Sequence, residues 1–159
     1  MSIVSTEPPT VHRGEDELPF VNLGDGSLLQ VLQVDLGAGI WIIRNRFVPG
    51  TSVQRHRHTG AVYAFTQSGS WHYIESPDSV NTAGSYLYEP AGSVHTLTVP
   101  DTNEGLTDVW FTIHGANLNL RDDDSVEMVI DAQTVLDFYR AMCEAEHGLA
   151  DPPVIVLGA

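Results

Sequence analysis

No lysine occurs anywhere in the 159-residue chain; all seven of its positive side chains are arginines. Schiff-base chemistry through a lysine is thereby excluded, as is a lysine general base. Against these seven stand 21 Asp and Glu residues, a formal net charge of −14. Binding a phosphate backbone needs clustered cations, so nucleic acid is not an expected partner. Cysteine is equally scarce. Cys143 stands alone, which rules out an internal disulfide and fits a reducing compartment, so a cytoplasmic location is expected. No apolar run is long enough to cross a bilayer, and no membrane partner is expected. Met1 to Thr10 show neither a basic stretch nor an apolar run, so a secretory leader is not expected either.

What remains is a chain of 42% apolar content, long enough for one domain with a sizeable core. Residues 1–26 are polar and rich in Pro, Gly and acidic residues, and read as an extended arm. Residues 27–120 carry short β-like runs between turn residues. The expected strands are Leu28–Val34, Ile40–Val48, Ala61–Gln67, Ser70–Glu75, Tyr86–Tyr88, His95–Val99 and Thr107–His114. Their β-branched and aromatic content predicts an all-β antiparallel barrel or sandwich. Pro77-Asp78-Ser79 reads as a turn, Thr102-Asn103-Glu104-Gly105 as a hairpin loop, and Asp122-Asp123-Asp124 as a solvated turn. In the C-terminal segment, residues 121–159, the period changes. Ala132, Val135, Leu136, Tyr139, Met142 and Cys143 recur at helical spacing, with Asp131 as N-cap and Gly148 as stop. One amphipathic helix over about 132–147 is predicted.

Three histidines carry the chemistry. In a strand, residues i and i+2 share a face, so His56 and His58 can reach one ion while Arg55 and Arg57 point away. Pro49 and Gly50 supply a turn ahead of that pair. His95 follows Pro90-Ala91-Gly92, residues suited to a tight turn. If the two segments are neighbouring strands, three imidazoles converge on one metal and leave its far side open, as a catalytic site requires. Three imidazoles do not choose among Fe, Zn, Ni and Cu. Arg44, Arg46, Arg55 and Arg57 lie close in sequence to this pair and read as a charged outer strand face rather than an anion site. His114 shares a face with Trp110 and Thr112 and reads as an edge residue, with a place at the barrel mouth as the alternative. His72 is expected to point outward, and His12 and His147 carry no expected chemistry.

These residues match the two cupin signatures. Gly50, His56, His58 and Gly69 resemble the fixed positions of the first motif, and Gly84, Pro90, Gly92 and His95 those of the second. The resemblance covers about residues 27–120 and implies a small double-stranded β-barrel (jelly roll) with the metal inside. Many cupins place a glutamate ligand three or four residues beyond the paired histidines, but here those places hold Val62 and Tyr63. Val99 replaces the asparagine that often closes the second motif. A divalent ion would therefore keep its full charge among three neutral imidazoles and favour an anionic chelator, such as the enolate of a diketone. Tyr63 is expected to line the pocket, hydrogen-bond within it or serve the core, with metal ligation as the lesser alternative.

This three-histidine variant resembles the dihydroxyacetophenone and acetylacetone dioxygenase group, through Ala61–Tyr73 and Gly84–Thr96. The resemblance implies non-haem Fe(II), a small diketone or hydroxyaryl ketone with dioxygen, cleavage of a carbon–carbon bond, and a homodimer or higher assembly. Glu89, six residues before His95, resembles a glutamate that stands behind the ligands in the acetylacetone-cleaving enzymes; its alternative is a solvent-facing residue beside a turn. No obvious general base is evident, which suits a substrate that ionises readily on the metal. Two further functions stay open: a non-catalytic metal or ligand sensor, since similar cupin domains occur in anti-sigma proteins, and a Zn or Ni isomerase or hydrolase.

Overall fold

The computed structural model describes residues 8–159, so the first seven residues of the arm lie outside the described part. After a single 3-10 turn (Glu15–Glu17) come β1 (Val21–Asn22), β2 (Leu28–Asp35), β3 (Ile40–Phe47), β4 (His56–His58), β5 (Val62–Ser68), β6 (Ser70–Tyr73) and β7 (Ser76–Thr82). They are followed by β8 (Tyr86–Glu89), β9 (Val94–His95), β10 (Leu97–Thr98), β11 (Thr107–His114), β12 (Asn117–Leu120), β13 (Val126–Ile130), helix α1 (Ala132–His147) and β14 (Ile155–Leu157). A seven-stranded sheet runs β1-β2-β3-β11-β5-β8, with β14 added in parallel to β2. A three-stranded sheet, β10-β6-β7, and a four-stranded sheet, β13-β12-β4-β9, complete the barrel. Apart from β14, every strand pairing is antiparallel. The all-β jelly roll with one C-terminal helix is the observed architecture.

Alternation builds the core. On β5, Val62, Ala64 and Thr66 are buried while Tyr63, Phe65 and Gln67 face out, as a period of two demands of a half-covered sheet. Trp41 and Ile43 of β3, Phe111 and Ile113 of β11, and Trp71 and Tyr73 of β6 fill the space between the sheets. The Trp71 ring meets both Tyr73 and Phe111. Helix α1 begins at Asp131, whose carboxylate accepts from the Thr134 backbone N–H, and ends at Gly148 in the left-handed conformation. Its buried stripe of Val135, Leu136, Tyr139 and Cys143 packs against β1 and β2, and the Tyr139 hydroxyl donates to the Pro19 carbonyl at 2.6 Å.

Several local expectations change. Pro77-Asp78-Ser79 lies inside β7 rather than in a turn; this strand pairs only with β6, and Asn81 alone is buried, so no apolar alternation marks it. The expected run His95–Val99 is broken at Thr96, because Val94 and His95 pair with β4 while Leu97 and Thr98 pair with β6. Strands β12 and β13 extend the sheets past His114, with Asp122-Asp123-Asp124 in the turn between them.

The arginines of β3 are not a solvated face. Arg44 is buried and grips the Asp108 carboxylate in a two-pronged bond, Nε at 2.7 Å and Nη2 at 2.7 Å. Arg46 reaches the same carboxylate at 3.0 Å, and both arginines bond Glu15 of the arm. Phe20 lies under the Arg46 guanidinium at 4.0 Å, and Trp110 under that of Arg44 at 4.7 Å. The guanidinium charge is spent on holding the arm against the sheet. Burial of Leu18 and Val21 completes that attachment.

Candidate metal centre

Strand β4 is held between β12 and β9, and its register places His56 directly opposite His95. His56 and His58, two residues apart, both face inward and are buried, while Arg57 between them is exposed. Their rings meet edge to face with centroids 4.8 Å apart. The two histidine segments are thus neighbouring strands, and the three imidazoles lie together. Gly92 makes the turn into β9 with φ of +84°, and its N–H donates to the His58 carbonyl at 2.7 Å, locking one histidine segment to the other.

The nitrogens show what the rings can do. His56 Nδ1 lies 2.8 Å from the Gln54 carbonyl. A carbonyl only accepts, so Nδ1 carries the proton and Nε2 presents its lone pair. Burial lowers the pKa of all three histidines. For His58 burial, reinforced by the other two imidazoles, brings it down to about 3. Neutral imidazoles are the form that binds metal.

Glu89 joins them. It is 2% exposed, with Oε1 3.5 Å from His95 Nε2 and Oε2 3.6 Å from His58 Nε2. The Tyr73 hydroxyl donates to Oε1, and the Tyr73 ring stacks on His95 at 4.2 Å between centroids. Burial pushes the Glu89 carboxyl up to about 7, against the lowering effect of that hydrogen bond. The alternative of a solvent-facing Glu89 does not hold.

Whether a cation fits here follows from the polar atoms left without partners. Glu89 Oε2, His58 Nδ1 and both ring nitrogens of His95 are buried and unpaired. Buried polar groups are ordinarily satisfied, and each orphan costs about 1–3 kcal/mol. Glu89 stands 3.6 Å from His58 Nε2 and 3.5 Å from His95 Nε2, too far for normal hydrogen bonds, and neutral imidazoles beside a carboxylate are a donor set that suits a divalent cation. Among the described residues, no group of three or more His, Cys, Asp or Glu side chains is placed so that it could hold a metal ion without adjustment. The fit therefore rests on the orphaned atoms and on the donor chemistry.

Tyr63 is not among these groups. It stands on the outer face of β5, 39% exposed, with its ring against Tyr88 and His114. Position 63 has the wrong parity, since Val62 and Ala64 face inward. The tyrosine that meets the histidines is Tyr73, missed from sequence although Trp71 and Tyr73 have the i, i+2 spacing of an inward pair. His114 lies on the outer face beside Tyr63, and His72 alternates outward between buried Trp71 and Tyr73. His12 is exposed, and His147 contacts the Phe20 carbonyl at the helix end.

From His56, His58 and Tyr73 a cavity of about 480 Å³ opens toward β13 and α1. Trp41, Ile43, Phe47, Phe111 and Ile113 wall it, and Asn45 and Asn117 are its only carboxamides. Among the described residues, none that line it is an Arg, Asp or Glu.

A double-stranded barrel with imidazoles on adjacent strands at the base of an apolar cavity is a cupin. More narrowly, the ChrR cupin-like domain family matches residues 10–116, and the chain belongs to that family. A cupin-like protein of unknown function from Ralstonia eutropha JMP134 is similar over 98% of this chain and 97% of its own, with 31% identity and a TM-score of 0.87. An acetylacetone dioxygenase from Acinetobacter johnsonii shares the fold at 18% identity and a TM-score of 0.73, over 89% of this chain and 97% of its own. The anti-sigma protein ChrR of Rhodobacter sphaeroides, solved with SigE, aligns over 64% of this chain and 52% of its own, with 16% identity and a TM-score of 0.50. No protein of curated function matches. Among the described residues no helix is long and apolar enough to cross a membrane.

Proposed function

We propose that the chain is a non-haem Fe(II) dioxygenase that cleaves a carbon–carbon bond of a small diketone or hydroxyaryl ketone. One observation carries the reading: His56 and His58 line an apolar cavity, and Glu89, with an unpaired buried carboxylate oxygen, lies 3.6 Å from His58 Nε2 and 3.5 Å from His95 Nε2. His56, His58 and His95 would hold the ion. When bound, Fe(II) supplies a Lewis acid for the ligand's oxygens and a source of electrons for dioxygen.

The protein's own groups divide the remaining work. Glu89 accepts the proton that a diketone or hydroxyketone loses on becoming a chelating anion; from sequence no such base was evident. Tyr73 orients Glu89 through its hydroxyl and His95 through its ring, so one side chain sets both. The apolar wall excludes water from the reacting carbons. An ion among three neutral imidazoles keeps its charge, and Glu89 beside it offsets part of that charge until an anionic ligand arrives.

The test is oxygen uptake. Protein purified without oxygen and loaded with Fe(II) is given diketones and hydroxyacetophenones, and one dioxygen is expected to disappear per molecule cleaved. Stoichiometric zinc in the purified protein, with no oxygen consumed by either the zinc or the iron form, would contradict the reading. That outcome would favour a metal or ligand sensor, a reading supported by the ChrR-like family match.

A further inference from the structure

The cavity is larger and more apolar than a five-carbon diketone needs. At about 480 Å³ it lies in the range of pockets that enclose a drug-sized ligand. Its rim is also unusual. Leu23 is 41% exposed, Met128 55%, Val129 49% and Phe138 42%, and all four line the opening. They come from the arm, from β13 and from α1. β13 is an edge strand, bonded only to β12. Exposed apolar edges are a liability that proteins ordinarily blunt with charge. Here apolar side chains make up most of the lining between these four and the imidazoles of His56 and His58, with Asn45, Asn117 and Thr134 among them.

We infer that the ligand of this centre is a ketone with two parts. Its chelating oxygens reach His56 and His58, and an uncharged apolar body, on the order of ten carbons, fills the cavity out to Val129 and Phe138. Among the described residues the cavity lining offers no Arg to pair an anionic tail, and the chain's net charge of −14 disfavours one. A short diketone would leave most of the wall uncovered, whereas each additional buried methylene adds to affinity. Asn117 Oδ1 is buried without a partner on the lining and is free to accept a bond from a hydroxyl on the body. The chelating end rests on the metal reading above. The apolar body does not.

Two binding experiments separate the two parts. In the Zn(II)-loaded protein, calorimetry compares 2,4-pentanedione, 1-phenyl-1,3-butanedione and 2,4-dodecanedione. Affinity is expected to rise at least tenfold from the first to the last. Val129→Glu and Phe138→Glu, both at exposed positions that tolerate charge, should lose that gradient and keep the affinity for pentanedione. In the metal-free protein, the neutral fluorophore N-phenyl-1-naphthylamine should bind and be displaced by 2-dodecanone, and either variant should weaken it several-fold. Equal affinity for the three diketones overturns the inference, even if the protein proves to be a dioxygenase. So does dodecanoate displacing the fluorophore as well as 2-dodecanone does. If no diketone binds the zinc form while 2-dodecanone still displaces the probe, the apolar body stands and the metal reading falls.

Discussion

Glu89 lies directly across the β5–β8 ladder from Val62. Val62 occupies a place where many cupins carry a carboxylate ligand. The acidic group missing from one strand is thus supplied by its cross-strand neighbour, on the same inward face. The pair explains how a chain without a glutamate beyond its paired histidines still brings a carboxylate within 3.6 Å of two imidazole nitrogens.

A first prediction concerns this carboxylate. Glu89→Gln keeps the size and the Tyr73 contact but cannot take a proton. The variant should retain its metal and lose turnover by about a hundredfold or more. Metal analysis beside steady-state oxygen uptake checks this, and metal loss equal to that of His95→Ala would show that Glu89 is itself a ligand.

Asp108→Asn tests the buried clamp. It leaves the Arg44 guanidinium, 3% exposed, without its two-pronged partner. Glu15 still pairs with Arg44 from its half-exposed position, so the variant should lose about 1–3 kcal/mol in urea unfolding. Metal content should not change, because the clamp lies on the outer face of the sheet.

The arm should respond to acid. Hydrogen bonds from Arg44 and Arg46 hold the Glu15 carboxyl below its ordinary value. A lowered folded-state value means that its contribution is fully present above the unfolded value and is lost as pH falls through the folded one. Glu15 is half exposed, so the contribution is under about 1 kcal/mol. Unfolding curves of Glu15→Gln and the parent should differ near neutrality and merge in the acid limb. A constant difference at every pH would show that the ion pairs do not act.

Gly69→Ala should be costly. The residue has φ of +81°, and an added Cβ would sit 2.4 Å from Thr107 Oγ1. Roughly 1–3 kcal/mol of backbone strain, with the clash in addition, should appear as a lowered melting temperature. An unchanged melting temperature would mean that β11 yields at Thr107.

Some of this was legible in the chain because the responsible forces are local. β11 matches its expected bounds, Thr107–His114, since β-branched and aromatic residues fill it and a loop precedes it. α1 could be read from its stripe and from Asp131 and Gly148, whose capping is a local interaction. β7 could not be, because an exposed strand of Ser, Pro, Asp and Asn has the composition of a turn and is held only by its neighbour. The buried Arg44 was hidden for the opposite reason: its partners, Asp108 and Glu15, are far away in sequence. At the centre, i and i+2 spacing located His56 and His58. Tyr63 and Tyr73 differed only by strand parity, and that parity is set by pairing with β11 and β10. Glu89 had one local signal, the alternation of exposed Tyr86 and Tyr88 with inward Leu87 and Glu89.

The central claim is that His56, His58 and His95 hold one ion together. Cobalt(II) titration of the metal-free protein under nitrogen, followed through the visible ligand-field bands, tests it most directly. The account predicts one equivalent bound per chain, and loss of most of that binding in each of His56→Ala, His58→Ala and His95→Ala, with far-ultraviolet dichroism unchanged. Retention of the full signal in any one of the three variants would contradict it.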